Sequence, residues 1–390
     1  MSQTPIAPSV PEEFAGQLAE AAQRNKLISI IGNDSKISMG GAAVETETLL
    51  STACMRRVLQ YEPKDLTVSV EAGLPFRELQ ALLGRNEQMI ALDPPHSAQA
   101  TVGGVVASNT SGPLRLGYGT ARDLVIGMTF ATLEGKLVKT GGMVVKNVAG
   151  LDMAKLMIGS FGTLAAITSV NFRIHSLPAR TETYLFQPGS LEEAAQWRQT
   201  LRGGALQPIA CDLLSSGASR RVGQRGLVIA MRAAGSEEAL HRYRAMWPQA
   251  ERVTGDSERS LWDGIREMFP ECMQAAAGGM VLRVSTTLGD MIELWRTLDK
   301  EDVTVGRFLT GVTWTYPRDT SPAGPLLAGW AKRGWPAVVE YASHEIRMEQ
   351  TLWHIGEDPA TRNAFELMKQ VKRSFDPQGI LNRGRLYGRI

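Results

Sequence analysis

The stretch from Asp93 to His175 constrains this chain more than any other. It reads DPPHSAQATVGGVVASNTSGPLRLGYGTARDLVIGMTFATLEGKLVKTGGMVVKNVAGLDMAKLMIGSFGTLAAITSVNFRIH. Almost every apolar run in it is short and ends at a glycine, and several glycines are paired. Glycine takes positive φ and lets other groups reach the backbone closely. A ladder of such turns between short strands predicts main chain wrapped round a bound molecule.

The two commonest phosphate cradles do not account for these glycines. A Rossmann site needs G-x-G-x-x-G between a strand and a helix, and Gly117-Tyr118-Gly119 lacks both the third glycine and the following helix. A Walker P-loop is missing too. No G-x-S-x-G elbow supports hydrolase chemistry. His96, His175, His241, His344 and His354 stand at no H-x₃-H or H-E-x-x-H spacing, so no metal site is expected.

The 390 residues suit two domains of ordinary size. A net charge of +2 argues against a nucleic-acid or membrane-binding field. No apolar run approaches the ~20 residues of a membrane span, and the N-terminus lacks a signal-peptide pattern, so a cytoplasmic location is expected. Cys54, Cys211 and Cys272 are far apart. They are expected to be buried free thiols, which argues against an iron–sulfur cluster held by this chain alone.

Along the chain, Ser9-Val10-Pro11-Glu12 has the form of a capping box, opening a helix to about Arg24. Leu27–Ile31 reads as a buried strand stopping at Gly32-Asn33-Asp34-Ser35-Lys36. That turn is either a plain β-turn or a nest of N–H groups aimed at an anion. Leu66–Glu71 alternates as a strand, and a helix follows Pro75. Thr101-Val102-Gly103-Gly104 lets backbone lie against a flat ring or a pyrophosphate, or forms a tight core turn. Gly159–Thr163 reads as a helix C-cap and turn. The methionines 143, 153 and 157 read as core.

The texture changes near Leu177-Pro178. Ser190 caps a helix to about Leu201, and two similar strand-then-helix units follow: strand Gly226–Arg232 with a helix capped by Ser236, and strand Met280–Ser285 with a helix around Met291, Leu294, Trp295 and Leu298. Further short strands follow at Val312–Tyr316 and Ala337–Tyr341. They predict a second, cap-like sheet with helices. A last helix near Phe365–Phe375 leads into a docked tail. The expected division is residues 1–178, a cap over 179–370 and a tail over 371–390 returning to the first domain.

Taken together, GNDSK, LDPPHSAQATVGGVVASNTSG, RLGYGTARDLVIGMTFATLEGKLV, KNVAGLDMAKLMIGSFGTLAAIT and FDPQGILNRGR resemble the vanillyl-alcohol-oxidase/PCMH flavoprotein family. Within it, they resemble the FAD-binding subunits of bacterial glycolate oxidases. The resemblance implies an α+β chain: a PCMH-type two-subdomain FAD-binding domain plus a smaller α/β cap domain. It assigns Gly32, Asn33, Asp34, Ser35 and Lys36 to the pyrophosphate loop. Thr101, Gly103, Gly104, Ser108 and Asn109 fall beside the flavin ring and ribityl chain. Lys146, Asn147, Gly162, Thr163 and Ile167 belong to a later contacting segment, and Asn382 and Arg385 to the returning tail. Pro95, Gly112, Gly117, Gly119 and Asp123 stand in the same matched motifs and are assigned to the same site. The first loop carries no histidine, so noncovalent FAD is expected.

The implied reaction is hydride transfer from C2 of glycolate to the flavin, giving glyoxylate. It needs a base for the hydroxyl proton and a cation for the carboxylate, for which Arg307, His344 and Arg347 are the cap candidates. The His-x-x-Asp-Gly-Asn-x-His motif of relatives that oxidise 2-hydroxy acids is not found in the cap. Implied partners are a catalytic FAD subunit and an iron–sulfur subunit of glycolate oxidase, with any membrane association only through them. The alternatives are a self-sufficient dehydrogenase of a small 2-hydroxy acid such as D-lactate, and a non-catalytic scaffold subunit.

Overall fold

The apolar run ahead of Gly32 forms β1 (Ile28–Ile31), parallel to β2 (Thr48–Ser51). The computed structural model describes residues 4–42, 44–143, 152–275, 278–318, 323–356 and 358–390. It divides into two units, Met1–Ser111 with Gly119–Leu177 and Glu357–Ile390, and Gly112–Tyr118 with Pro178–Gly356.

In the first unit, helix Pro11–Gln23 places Phe14, Leu18, Ala21 and Ala22 on one buried face. Burying a Phe or Leu fully contributes roughly 1.5–3 kcal/mol each. The expected Ser9 cap is not formed: Val10 is the N-cap and no side chain bonds to it. Pro11 at the first helical position has no N–H, so one of the four unpaired donors of the first turn is already missing.

Further strands are β3 (Val58–Glu62), β4 (Thr67–Glu71), β5 (Gln88–Met89), β6 (Val125–Ala131), β7 (Leu137–Gly141), β8 (Ala166–Arg173) and β9 (His175–Ser176). Five of them form an antiparallel sheet in the order β3-β4-β8-β6-β7, and β5 pairs with β9. The tail returns to β1: Ile28 N–H donates to Ile380 O at 2.9 Å, and Asn382 N–H donates to Ile28 O at 2.8 Å. Ile380 and Leu381 join Phe14, Leu18, Ile28 and Leu50 in one apolar cluster.

The second unit carries β10 (Arg180–Phe186), β11 (Ala210–Leu214), β12 (Val228–Gly235), β13 (Glu251–Val253), β14 (Met280–Ser285), β15 (Val303–Arg307), β16 (Val312–Tyr316) and β17 (Ala337–Ala342). Among the described residues they form one antiparallel sheet in the order β13-β10-β12-β11-β15-β16-β14-β17. Read by rank within each half, this is 4-1-3-2 followed by 2-3-1-4. Each half is a β-α-β-β-α-β unit, with helices Leu191–Gly203 and Glu237–Met246 in one and Asp290–Thr297 and Ala323–Lys332 in the other. Helix Gly255–Ala275 links the halves. The Ser190 and Ser236 caps form as expected, accepting from Glu193 N–H and Ala239 N–H.

Two boundaries differ from the expected ones. Gly112–Tyr118 groups with the second unit, where Gly117 N–H donates to Ile209 O at 3.1 Å. The last helix begins at Pro359, capped by Asp358, and groups with the first unit because its Lys372 bonds to Thr163 O. One thiol also differs: Cys211 and Cys272 are buried, but Cys54, in the turn after β2, is exposed.

The two halves of the second sheet meet at β11 and β15, whose register sets Asp212 opposite Arg307. They form a buried ion pair, with the Asp212 side chain 0% and the Arg307 side chain 12% exposed. The Arg307 guanidinium also lies over the Trp314 ring. Burial pushes the Asp212 carboxyl up to about 6, although Arg307 opposes the shift. Between the ordinary carboxylate range and pH 6 the folded state therefore holds this proton more tightly than the unfolded chain. Its contribution to stability is present below that window and is lost as pH rises through it. Asp212→Asn is expected to flatten the dependence of melting temperature on pH between about 4 and 6. An unchanged slope in that variant would refute the assignment.

Candidate cofactor site

Four separated stretches of the first unit converge on one open cleft of about 640 Å³, counting the part open to solvent. Its walls are Ser29 to Ile37, Thr101 with Gly104, Ala107 and Ser108, Phe161, and Asn382 with Arg385. Of the assigned residues, Gly32, Asn33, Asp34, Ser35, Lys36, Thr101, Gly104, Ser108, Asn382 and Arg385 line it.

The first wall is the turn after β1. Asp34 has φ +55° and Ile37 N–H donates to Asp34 O at 3.1 Å. This left-handed residue inside a tight turn is the backbone form that gathers N–H groups into an anion-binding nest. Asn33 Nδ2 donates to Gln99 O at 3.2 Å, tying the turn to the next wall. Gly32 is required by close approach, since a Cβ there would lie 2.3 Å from Thr101 Oγ1. Thr101 Oγ1 in turn accepts from Gly104 N–H at 3.3 Å and caps helix Val102–Ser108.

The paired glycines have different tasks. Gly103 N–H donates to Ala72 O at 2.7 Å, and a Cβ on Gly103 would meet Ala72 Cβ at 2.8 Å. Gly104 lines the cleft, and its added Cβ would meet only Thr101 Oγ1, at 3.1 Å. Gly103 thus allows the helix to pack, and Gly104 keeps the cleft open.

Tail residues close the site. Asn382 Oδ1 accepts from Ile30 N–H at 2.7 Å and its Nδ2 donates to Phe161 O at 2.7 Å. Arg385 donates to Gly41 O at 2.6 Å, Lys36 O at 3.2 Å and Ile37 O at 3.3 Å, which holds the first loop. Gly40 and Gly41, which the motif reading passed over, admit this tail: a Cβ on Gly41 would lie 1.8 Å from Gly384 O. Their adjacency in SMGGAA was the only available signal.

The remaining assigned residues among those described do not line the cleft. Asn109 ends helix Val102–Ser108 with φ +50°. Gly162 has φ +70° and abuts Asn382, and Thr163 Oγ1 donates to Ser160 O. Ile167 is buried in β8. Pro95 sits in the turn before Thr101, half-buried. Gly119 has φ +85°, and Asp123 accepts from Thr120 N–H at 2.8 Å in a capping box. Gly112 and Gly117 belong to the second unit. Lys146 and Asn147 lie outside the described residues. The sequence reading missed Phe161, Lys372 and Asp376. Phe161 lines the cleft with φ +54°, and the Lys372 ammonium reaches Thr163 O at 2.7 Å.

In the second unit, Arg307 is committed to Asp212. His344 opens helix His344–Glu349 and is exposed, and Arg347 is buried on that helix. The helix follows β17, which β16 and β14 separate from β15.

The cleft suits a dinucleotide diphosphate. A turn of small residues with a left-handed centre faces it, Lys36 and Arg385 bring cationic side chains to it, and Gly104 leaves room for a flat ring.

Comparison with known proteins agrees with that chemistry. Residues 4–141 match the FAD binding domain model and residues 356–386 match the C-terminal domain of FAD-linked oxidases. The chain is 35% identical over 187 residues to glycolate oxidase subunit GlcE of Escherichia coli K12, covering 47% of this chain and 53% of GlcE. It thus spans about half the length of that relative. It is 24% identical over 426 aligned residues to a D-lactate dehydrogenase of Archaeoglobus fulgidus, covering 99% of this chain and 91% of that protein. In fold it is similar to p-cresol methylhydroxylase, with TM-score 0.73 at 16% identity, covering 98% of this chain and 88% of the other.

The two glycines separate ligand from packing. Gly104→Trp is expected to abolish FAD retention with little change in the melting temperature of the FAD-free chain. Gly103→Ala is expected to cost about 1–3 kcal/mol of stability by overpacking. Flavin absorbance and thermal melts of both variants check this, and a Gly104→Trp protein that retains FAD would sink the cleft assignment. The two matched domain models identify the chain as an FAD-linked oxidoreductase, and its fold is that of p-cresol methylhydroxylase.

Proposed function

We propose that this chain is the FAD-binding subunit of a glycolate oxidase complex that oxidises glycolate to glyoxylate. The observation that carries the reading is the convergent cleft of the first unit in a chain 35% identical to GlcE over 187 residues. Bound noncovalently, FAD supplies the acceptor for the hydride equivalent leaving the substrate. The chain's own residues hold and enclose it: the Gly32–Lys36 turn binds the diphosphate, Gly104 and Phe161 shape the cleft, and Asn382 and Arg385 secure the loops.

Dependence on partner subunits is supported by the second unit. Arg307, the candidate cation for a substrate carboxylate, is neutralised by Asp212 inside the sheet, where it is unsuited to meet a substrate. The partners proposed are a second, catalytic FAD subunit and an iron–sulfur subunit. Among the described residues no helix is long and apolar enough to cross a membrane, so any membrane association of this chain is proposed to run through those partners.

A second reading, a self-sufficient dehydrogenase of D-lactate or a related 2-hydroxy acid, is favoured by the end-to-end alignment with the Archaeoglobus fulgidus enzyme. One experiment separates the two. The complex is co-purified from native cells with flavin counted per chain, and the isolated FAD-loaded chain is mixed anaerobically with glycolate or D-lactate. The subunit reading expects flavin near one per chain, glycolate oxidation only with the co-purifying proteins, and no bleaching of the isolated chain. Bleaching by either acid without partners would overturn it in favour of the second reading.

A further inference from the structure

Lys372 lies near the end of helix Pro359–Phe375 and does not itself line the cleft. A lysine ammonium has three N–H donors and no acceptor. All three are directed: to Thr163 O at 2.7 Å, to Leu381 O at 2.9 Å and to Asp376 Oδ2 at 2.6 Å. The Lys372 side chain is 12% exposed and that of Asp376 0%. Asp376 also accepts from Ile380 N–H at 3.1 Å and Leu381 N–H at 2.9 Å. One charge pair therefore joins the helix, the turn ending at Thr163 and the tail segment beside Ile28.

The turn it grips is strained. Phe161 and Gly162 are consecutive left-handed residues, with φ +54° and +70°. For a residue with a Cβ that conformation costs roughly 1–2 kcal/mol, and it persists only where the surroundings over-determine it. Three bonds do so here. Phe161 N–H donates to Ala107 O at 2.8 Å, Asn382 Nδ2 donates to Phe161 O, and Lys372 takes Thr163 O. Phe161 is the cleft-lining residue of that turn.

We propose that Lys372 is a positioning residue of the FAD cleft: paired with Asp376, it holds the Phe161–Thr163 turn in its left-handed form and so sets one cleft wall without touching the cofactor. This rests on the assignment of FAD to the cleft. A merely structural role would lower the melting temperature and leave FAD affinity, measured well below melting, unchanged.

Lys372→Met alone would leave the Asp376 carboxylate buried without its counter-charge, a destabilising change in itself. The double variant Lys372→Gln/Asp376→Asn replaces both charges with neutral hydrogen-bonding groups. Apoprotein is titrated with FAD, and the visible circular dichroism of the bound flavin is recorded. The double variant is expected to raise the Kd at least about tenfold, equivalent to about 1.4 kcal/mol, and to change the flavin dichroism. Lys369→Met, a more exposed change on the same helix, is expected to bind as wild type. A folded double variant whose Kd and dichroism match wild type overturns the proposal.

Hydrogen exchange of the wild type provides a second test that does not depend on the variant folding. FAD is expected to protect residues 159–165 and 372–382 together, and protection of the first without the second overturns the proposal. Wild-type apoprotein that does not take up FAD removes the cleft assignment itself, a failure separate from that of the variant.

Discussion

The amide of Asn382 bonds to two walls of the cleft at once. Its oxygen accepts from Ile30 N–H and its nitrogen donates to Phe161 O, both at 2.7 Å, in a residue 4% exposed. A primary amide carries its acceptor and its donor on two separate atoms of one short side chain, so it can reach both walls. A carboxylate would face Phe161 O with no donor, and an apolar side chain would leave two buried backbone groups unpaired. The bond to Ile30 spans 352 positions. Closing so long a loop costs entropy that grows slowly with length, about 0.6 kcal/mol per doubling. Burial of Ile380 and Leu381 in the β1 cluster and the Lys372–Asp376 pair oppose that cost. The cleft is complete only with the tail in place.

The glycines divide by physical cause. Gly32, Gly41 and Gly103 are required because another part of the chain already occupies the space of a Cβ. Gly104 faces the cleft with that space almost empty. Gly119 and Gly162 are required by positive φ. A glycine-rich stretch therefore reflects close packing and backbone form as much as a ligand, and only the direction of the missing Cβ separates them.

The second unit shows how a charge is withdrawn from function. Its sheet is two similar halves joined edge to edge, and the junction register places Asp212 against Arg307. Desolvating both charges is costly, and their attraction offsets this only with close geometry. The pair occupies the strand junction, where alternative registers would leave each charge buried alone.

Local chemistry made much of the fold readable from the chain. β1, β4, β12, β14, β16 and β17 follow from alternating or continuous apolar runs, and the Ser190 and Ser236 caps from short-range hydrogen bonding. The motif order resembled a known family, and ten of the assigned residues do line one cleft. Sequence could not separate Gly103 from Gly104, because both stand in one helix turn and differ only in what lies opposite. It passed over Lys372 and Asp376, since a lysine four residues before an aspartate is common on helix surfaces and their burial is set by segments far away in the chain. Arg307 looked available until strand pairing set Asp212 beside it. Turns, caps and strand periods depend on neighbours a few positions apart and are written in the chain. Which glycine faces a ligand, which charge is neutralised and which carbonyl a lysine reaches depend on contacts across tens to hundreds of positions, and only the folded chain decides them.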